Sequence, residues 1–324
     1  MFTVPQPTRA SLSLRDAHLI NAALTLGYVL PLYLTKFTRL SFAKSLENDR
    51  AHSKGSSERW RDDPAVIKAR LVSISVSTVA SLCLMHYIVA AGQRDSLNVS
   101  ERRWDATALS LGFSVRKSDA LVHFVTPALF LGPLYGRYLS GDLPFMAYWT
   151  FNERTRDTFS WIGIRNYIAG PITEEVVWRS CLVCAYRLAG ASNKFLVFFT
   201  PLSFGCAHLH HIWESYNMRG RTLRALKPAI LVTLFQFTYT TLFGFHSAFL
   251  FLRTSSLFPS ISAHTFCNIM GFPQLEVELR RFPHRRRQIL IAYCAGIVLY
   301  IYGMRTWTIR PDSTFWFHGT SNQQ

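Results

Sequence analysis

Three short stretches of this 324-residue chain set ionisable or amide side chains inside otherwise apolar sequence. In Pro171-Ile-Thr-Glu-Glu-Val-Val-Trp-Arg179, Glu175 and Arg179 stand four residues apart, the helical spacing at which a carboxylate and a guanidinium meet on one face. Glu174 is turned about 100° from that pair and has no local cation. In Phe204-Gly-Cys-Ala-His-Leu-His-His-Ile-Trp-Glu214, a continuous helix would put His208 and His211 on one side and His210 roughly opposite. His208 lies deepest in the apolar run, whereas His210 and His211 read equally well as hydrogen-bonded packing residues. In His264-Thr-Phe-Cys-Asn268 an imidazole and an amide share one helix face. A charged side chain at the centre of a membrane helix costs about 2.5–3.5 kcal/mol on insertion scales, so each such group needs a partner, a wet cavity or a task. One carboxylate, two imidazoles and an amide together make a hydrolytic inventory.

The elements that carry these groups follow from composition. Hydrophobic residues make up 49% of the chain and charged residues only 17%, against about 25% in a soluble domain. The apolar residues are gathered into runs, such as Ala229 to Phe251 and Ile289 to Met304, of the length that spans a bilayer. The expected fold is an all-α, polytopic transmembrane helix bundle of about eight segments, near 17–36, 71–91, 120–139, 163–188, 195–212, 229–252, 257–272 and 289–303. It reads as a single integral-membrane domain over 1–324, with residues 163–273 as the motif-bearing core and 37–70 as a polar loop. Trp104 to Lys117 reads either as an interfacial segment or as a connecting loop.

The net charge of +16 comes from bases scattered over loops, with no basic, aromatic-interleaved face, so no nucleic-acid partner is expected. Lys and Arg concentrate in the alternate loops 36–70, 140–160, 213–228 and 273–288, which places these on the cytosolic side and both termini opposite. Residues 1–15 lack the apolar core of a removable signal peptide, and Ser321–Gln324 is no prenylation box. The six cysteines lie in apolar stretches rather than a disulfide framework, and the single Cys181-x-x-Cys184 lacks a second pair for a zinc ribbon. Absence of an internal repeat argues against a transporter built from paired halves.

At these residues the sequence resembles the type II CAAX prenyl endopeptidases, within the larger group of intramembrane CAAX-protease and bacteriocin-processing proteins. Arg165 to Arg179 is similar to the family's RNxxxxPxTEExxFR stretch, with Trp178 where Phe is usual. Phe204 to His211 is similar to its FGxAHxHH, and the run from Phe258 to Pro273 contains its HxFCNxMGxP. All three occur in family order, on expected helices.

The resemblance implies a multi-pass endoplasmic-reticulum protease that removes the C-terminal tripeptide from prenylated CaaX proteins such as Ras-like small GTPases. A prenylcysteine carboxyl methyltransferase would act next. It maps Glu174 and His208 onto water activation, His264 and Asn268 onto oxyanion stabilisation, and Glu175 and Arg179 onto supporting positions. No cofactor is expected on this mapping. Glu174, His208 and His264 would also supply the one-carboxylate, two-imidazole set of a catalytic zinc site, although no HExxH is present. A zinc-dependent version of the same cleavage and a non-catalytic membrane scaffold are therefore the alternatives. Nothing beside Cys206 suggests a reactive thiol.

Overall fold

The computed structural model describes residues 12–42, 54–92, 100–115, 117–310 and 313–316, which leaves most of 1–15 and all of 321–324 outside the described residues. Among the described residues the regular elements are all helical, apart from an isolated antiparallel bridge between Ser41 and Arg59. Five helical stretches are long and apolar enough to cross a membrane: Leu14–Leu34, Pro64–Gly92, Asn193–Met218, Leu223–Thr254 and Pro283–Thr306. They answer to the runs expected near 17–36, 71–91, 195–212, 229–252 and 289–303. The second begins at Pro64, earlier than expected, because Lys68 and Arg70 in its opening turns mask the start from hydropathy.

The other three expected segments are helical but shorter or broken. The 120–139 run is realised as Val125–Leu129 and Leu131–Leu139. Pro133, without an N–H, cannot bond the Leu129 carbonyl four residues back, and the helix breaks at that turn. The third motif lies on Phe258–Met270. Of the stretch from Trp104 to Lys117, the part up to Ser110 belongs to a helix, Ser100–Ser110, and 111–115 form a connecting turn and loop.

The chain forms two compact units, one of residues 1–112 and 173–249, the other of 113–172 and 250–324. In the first, the Leu14–Val29 helix opens on a capping box: the Ser13 hydroxyl accepts from Asp16 N, and the Asp16 carboxylate accepts from Ser13 N. The polar loop is tied down where Arg70 Nε donates to Thr38 O at 2.8 Å and Arg221 Nη2 to Phe42 O at 2.9 Å. Several hydroxyls within the spans turn back on their own helices, as Thr78 does to Ile74 O and Thr233 to Ala229 O, so these add no unsatisfied polar group, whereas Thr241 Oγ1 is buried without a hydrogen-bond partner. Val72, Val76 and Val79 face outward from one helix and Leu231, Phe235 and Leu242 from another, a surface that suits lipid and not water.

The second unit packs Arg286–Thr306 against the two short helices of 125–139. Small residues permit the approach, since a Cβ on Gly132 would lie 2.1 Å from the Tyr293 ring and one on Gly296 2.9 Å from the Ala128 carbonyl.

Candidate active site

The helical stretch 161–188 carries the first motif and contains two π-helical turns, Ile164–Ala169 and Val176–Cys181. Such turns concentrate at functional sites because they re-aim side chains. In the first unit, Arg179 Nε meets Glu175 Oε2 at 3.0 Å, as the spacing led one to expect, and the two residues are 1% and 0% exposed. The same oxygen accepts a 2.6 Å bond from the Ser247 hydroxyl. Both terminal nitrogens of Arg179 lack a hydrogen-bond acceptor, and its guanidinium lies instead 4.4 Å from the Phe204 ring centroid and 5.6 Å from that of Phe243. Two aromatic faces thus share with one carboxylate the stabilisation of a charge removed from water. Gly244 makes room for it, as a Cβ there would come 3.4 Å from Arg179 Nη2.

Glu174 is half-buried, outside that pair, and within electrostatic reach of Tyr28, Arg179 and Tyr239. Tyr28 is hydrogen-bonded at 2.8 Å to Thr173, the residue before it.

The second motif is not one continuous helix. Thr200–Ala207 ends at His208, and a new helix starts at His211. The expectation that His210 points away from the other two is therefore corrected, because the intervening turn folds the rings together, with centroids 4.1 Å apart for His210 and His211 and 6.0 Å for His208 and His211. His208 Nδ1 lies 2.8 Å from the Phe204 carbonyl. A carbonyl can only accept, so Nδ1 carries a proton, and in the neutral ring Nε2 then holds the lone pair a general base requires. His210 bonds the Ala207 carbonyl in the same way and His211 meets Glu214 at 3.3 Å, which gives both a structural task. Phe204 ties the motifs together: its ring packs on Trp178, on the Arg179 guanidinium and on His208.

His264 and Asn268 lie in the second unit, the first buried and the second exposed. Their helix is held by a defect in the first motif. Pro171 has no N–H, so it supplies no donor to the preceding turn, where a helical N–H would bond one of two carbonyls, Tyr167 O or Asn166 O. Thr265 Oγ1 donates to the first at 3.0 Å and the Asn268 amide to the second at 2.8 Å. The bond to Asn166 O fixes the orientation of the Asn268 amide. Within neither unit do three His, Cys, Asp or Glu side chains, among the described residues, gather as a metal site would need.

Residues 156–270 match the family described as type II CAAX prenyl endopeptidase Rce1-like. The chain is 33% identical over 249 residues to the probable CAAX prenyl protease 2 of Schizosaccharomyces pombe, which covers 77% of this chain and 82% of the relative. It is 33% identical over 258 residues to the CAAX prenyl protease 2 of Homo sapiens, with coverage of 76% and 73%. The chain belongs to this family. A 28% identity over 252 residues to the Arabidopsis thaliana protein agrees with that placement, and no solved structure matches.

Family membership and five apolar spans make this a multi-pass membrane protein of a protease family. Several supports of the motif residues were invisible in the sequence. Ser247 and Phe243 sit on Leu223–Thr254 with no local spacing to tie them to Glu175 or Arg179.

The Trp178 departure can be tested. Its indole is 3% exposed against Tyr28 and Phe204, and its Nε1–H has no acceptor. Trp178→Phe removes that donor, whose burial costs about 1–3 kcal/mol, while opening a small void of comparable cost. Thermal unfolding in detergent should place this variant within about 1 kcal/mol of the parent, whereas Trp178→Ala should lose about 3–5 kcal/mol. A Phe variant as unstable as the Ala variant would mean that Nε1 is satisfied after all.

Proposed function

We propose that the protein is an intramembrane endopeptidase that cleaves the C-terminal aaX tripeptide from prenylated CaaX proteins, Ras-like small GTPases among them, in the endoplasmic-reticulum membrane. Glu174 and His208 hold and deprotonate the attacking water. The hydroxide adds to the carbonyl carbon of the prenylcysteine, His264 and Asn268 stabilise the oxyanion, and the proton passes to the departing amine as the peptide bond breaks. The products are a prenylcysteine carboxylate, the substrate class of a carboxyl methyltransferase, and a free tripeptide.

The observation that carries this reading is the division of labour between adjacent carboxylates. Glu175 is committed to Arg179 and Ser247 in a sealed site, whereas Glu174 stays half-buried and outside that pair. The His208 contact supports this reading, since with Nδ1 donating to the Phe204 carbonyl the neutral ring has Nε2 as its basic nitrogen. The Asn268 amide has two N–H groups, and one bond to Asn166 O still leaves the other to donate to an oxyanion. A substrate whose prenyl chain already sits in lipid suits a protease built into the bilayer.

The mechanism uses no metal on this reading, and one assay tests both points. The full chain in liposomes is incubated with a farnesylated CaaX peptide, with and without a chelator, and the products are identified by mass spectrometry. Release of the intact tripeptide at a rate the chelator does not alter is expected. Chelator-sensitive release would establish the zinc-dependent version, and no release from folded protein would favour a non-catalytic scaffold.

A further inference from the structure

In the second unit a cavity of about 530 Å³ opens beyond the C-terminal end of Phe258–Met270, lined among others by Arg137, Asp142, Met270, Phe272, Glu278 and Arg281. It lies outside the five stretches long and apolar enough to cross a membrane. Gly271, with φ of 68° and ψ of −163°, ends the helix in a conformation open to glycine and turns Phe272 along the cavity wall. Arg137 Nη2 donates to the Ile269 carbonyl at 3.0 Å, so the guanidinium sits at the helix end, one residue beyond Asn268.

The charge in this cavity is positive in effect. Asp142 is ion-paired with Arg154, which offsets its charge. Glu278 is packed against Gly136, and burial raises its carboxyl above the ordinary range. With Asp142 offset by Arg154, Arg137 and Arg281 outnumber Glu278 among the lining charges.

We propose that this cavity binds the free α-carboxylate at the C-terminus of the substrate, with Arg137 as the principal anchor and Arg281 assisting. The proposal rests on the peptidase reading above and adds the group by which the chain end is measured. Three substrate residues beyond the scissile carbonyl reach about 10 Å at most. A helix rises about 1.5 Å per residue, so a guanidinium bonded to the Ile269 carbonyl lies well within that reach of an oxyanion at Asn268. A carboxylate is expelled from hydrocarbon, so the end of a substrate anchored by its prenyl group must reach a polar pocket outside the spans. A planar guanidinium matches a carboxylate in two parallel bonds.

The test compares farnesylated CaaX peptides ending in a free acid or in a carboxamide, with the full chain in liposomes. The parent should prefer the acid by about 10–100-fold in kcat/KM, chiefly through KM, the range expected of a charge-assisted hydrogen bond. Arg137→Gln should bring the acid-to-amide ratio close to one, Arg137→Lys should restore part of it, and Arg281→Ala should lower it less. A parent that handles acid and amide alike would overturn the proposal. So would an Arg137→Gln variant that slows both peptides by the same factor, because the arginine would then only cap its helix. Fluorescence anisotropy of the same two peptides, labelled at the N-terminus, reads the preference without turnover. Acid-selective binding with no cleavage would therefore sink the peptidase reading and keep the carboxylate site, and cleavage without acid selectivity would do the reverse.

Discussion

Glu174→Ala, reconstituted in lipid, is expected to lose about 10²–10⁴-fold of tripeptide release while unfolding at the parental temperature. The first half follows from general-base chemistry. Without the carboxylate the attacking water keeps its proton until the tetrahedral intermediate forms, and His208 alone must take it up. The second half follows from position, because Glu174 lies outside the buried Glu175–Arg179 pair and is only half-buried. Glu174→Gln preserves the shape of the side chain but not its basicity, so it should fail as completely as Ala. Single-turnover rates with the farnesylated peptide, set beside thermal unfolding of the same preparation, separate chemistry from folding. Near-parental cleavage by the Gln variant would remove Glu174 from the reaction and leave His208 as the base.

The neighbouring carboxylate belongs to a different class of effect. Arg179→Ala should destabilise the protein by about 3–5 kcal/mol, the usual cost of leaving one member of a buried ion pair without its partner. Glu175 would keep the Ser247 hydroxyl as a donor, yet its charge would sit at zero exposure without the compensating cation. The Phe204 and Phe243 faces would also lose the guanidinium that fills the space between them. Against a typical total stability of about 5–15 kcal/mol, a loss of this size removes a third or more of the margin, and the variant should accumulate poorly. Replacing both partners, as in Glu175→Leu with Arg179→Met, should recover most of the loss, since no uncompensated charge remains. Denaturant unfolding in detergent measures all three variants on one scale. An Arg179→Ala variant within about 1 kcal/mol of the parent would mean that water or another group reaches Glu175.

The two predictions diverge although the residues are adjacent, and sequence reasoning anticipated the reason. The i, i+4 spacing paired Glu175 with Arg179, and that pairing left Glu174 for another task. The same reasoning failed at His210. It extended the helix through a stretch that turns at 208–210, so it set apart two rings whose centroids the structure brings to 4.1 Å. Nothing in the residue types marks that turn, because the sequence there contains neither glycine nor proline. At Pro171 the signal was legible but its use was not. A proline inside a helix announces a missing donor, yet which side chains bond the carbonyls of that turn depends on the helix that packs alongside.

Local and compositional properties were therefore decided by the sequence itself: the all-helical class and approximate position of the apolar helices, the Glu175–Arg179 pair, and the three motifs that place the chain in its family. These depend on spacing along one helix or on transfer from water to lipid, which a linear chain states directly. Contacts between segments distant in the chain were decided by tertiary structure. Ser247 reaches Glu175 across 72 positions, Asn268 reaches Asn166 across 102, and Arg137 reaches Ile269 across 132. Each satisfies a buried or helix-terminal polar group that its own segment leaves open, and the packing of helices selects the partner from many side chains of equal chemistry.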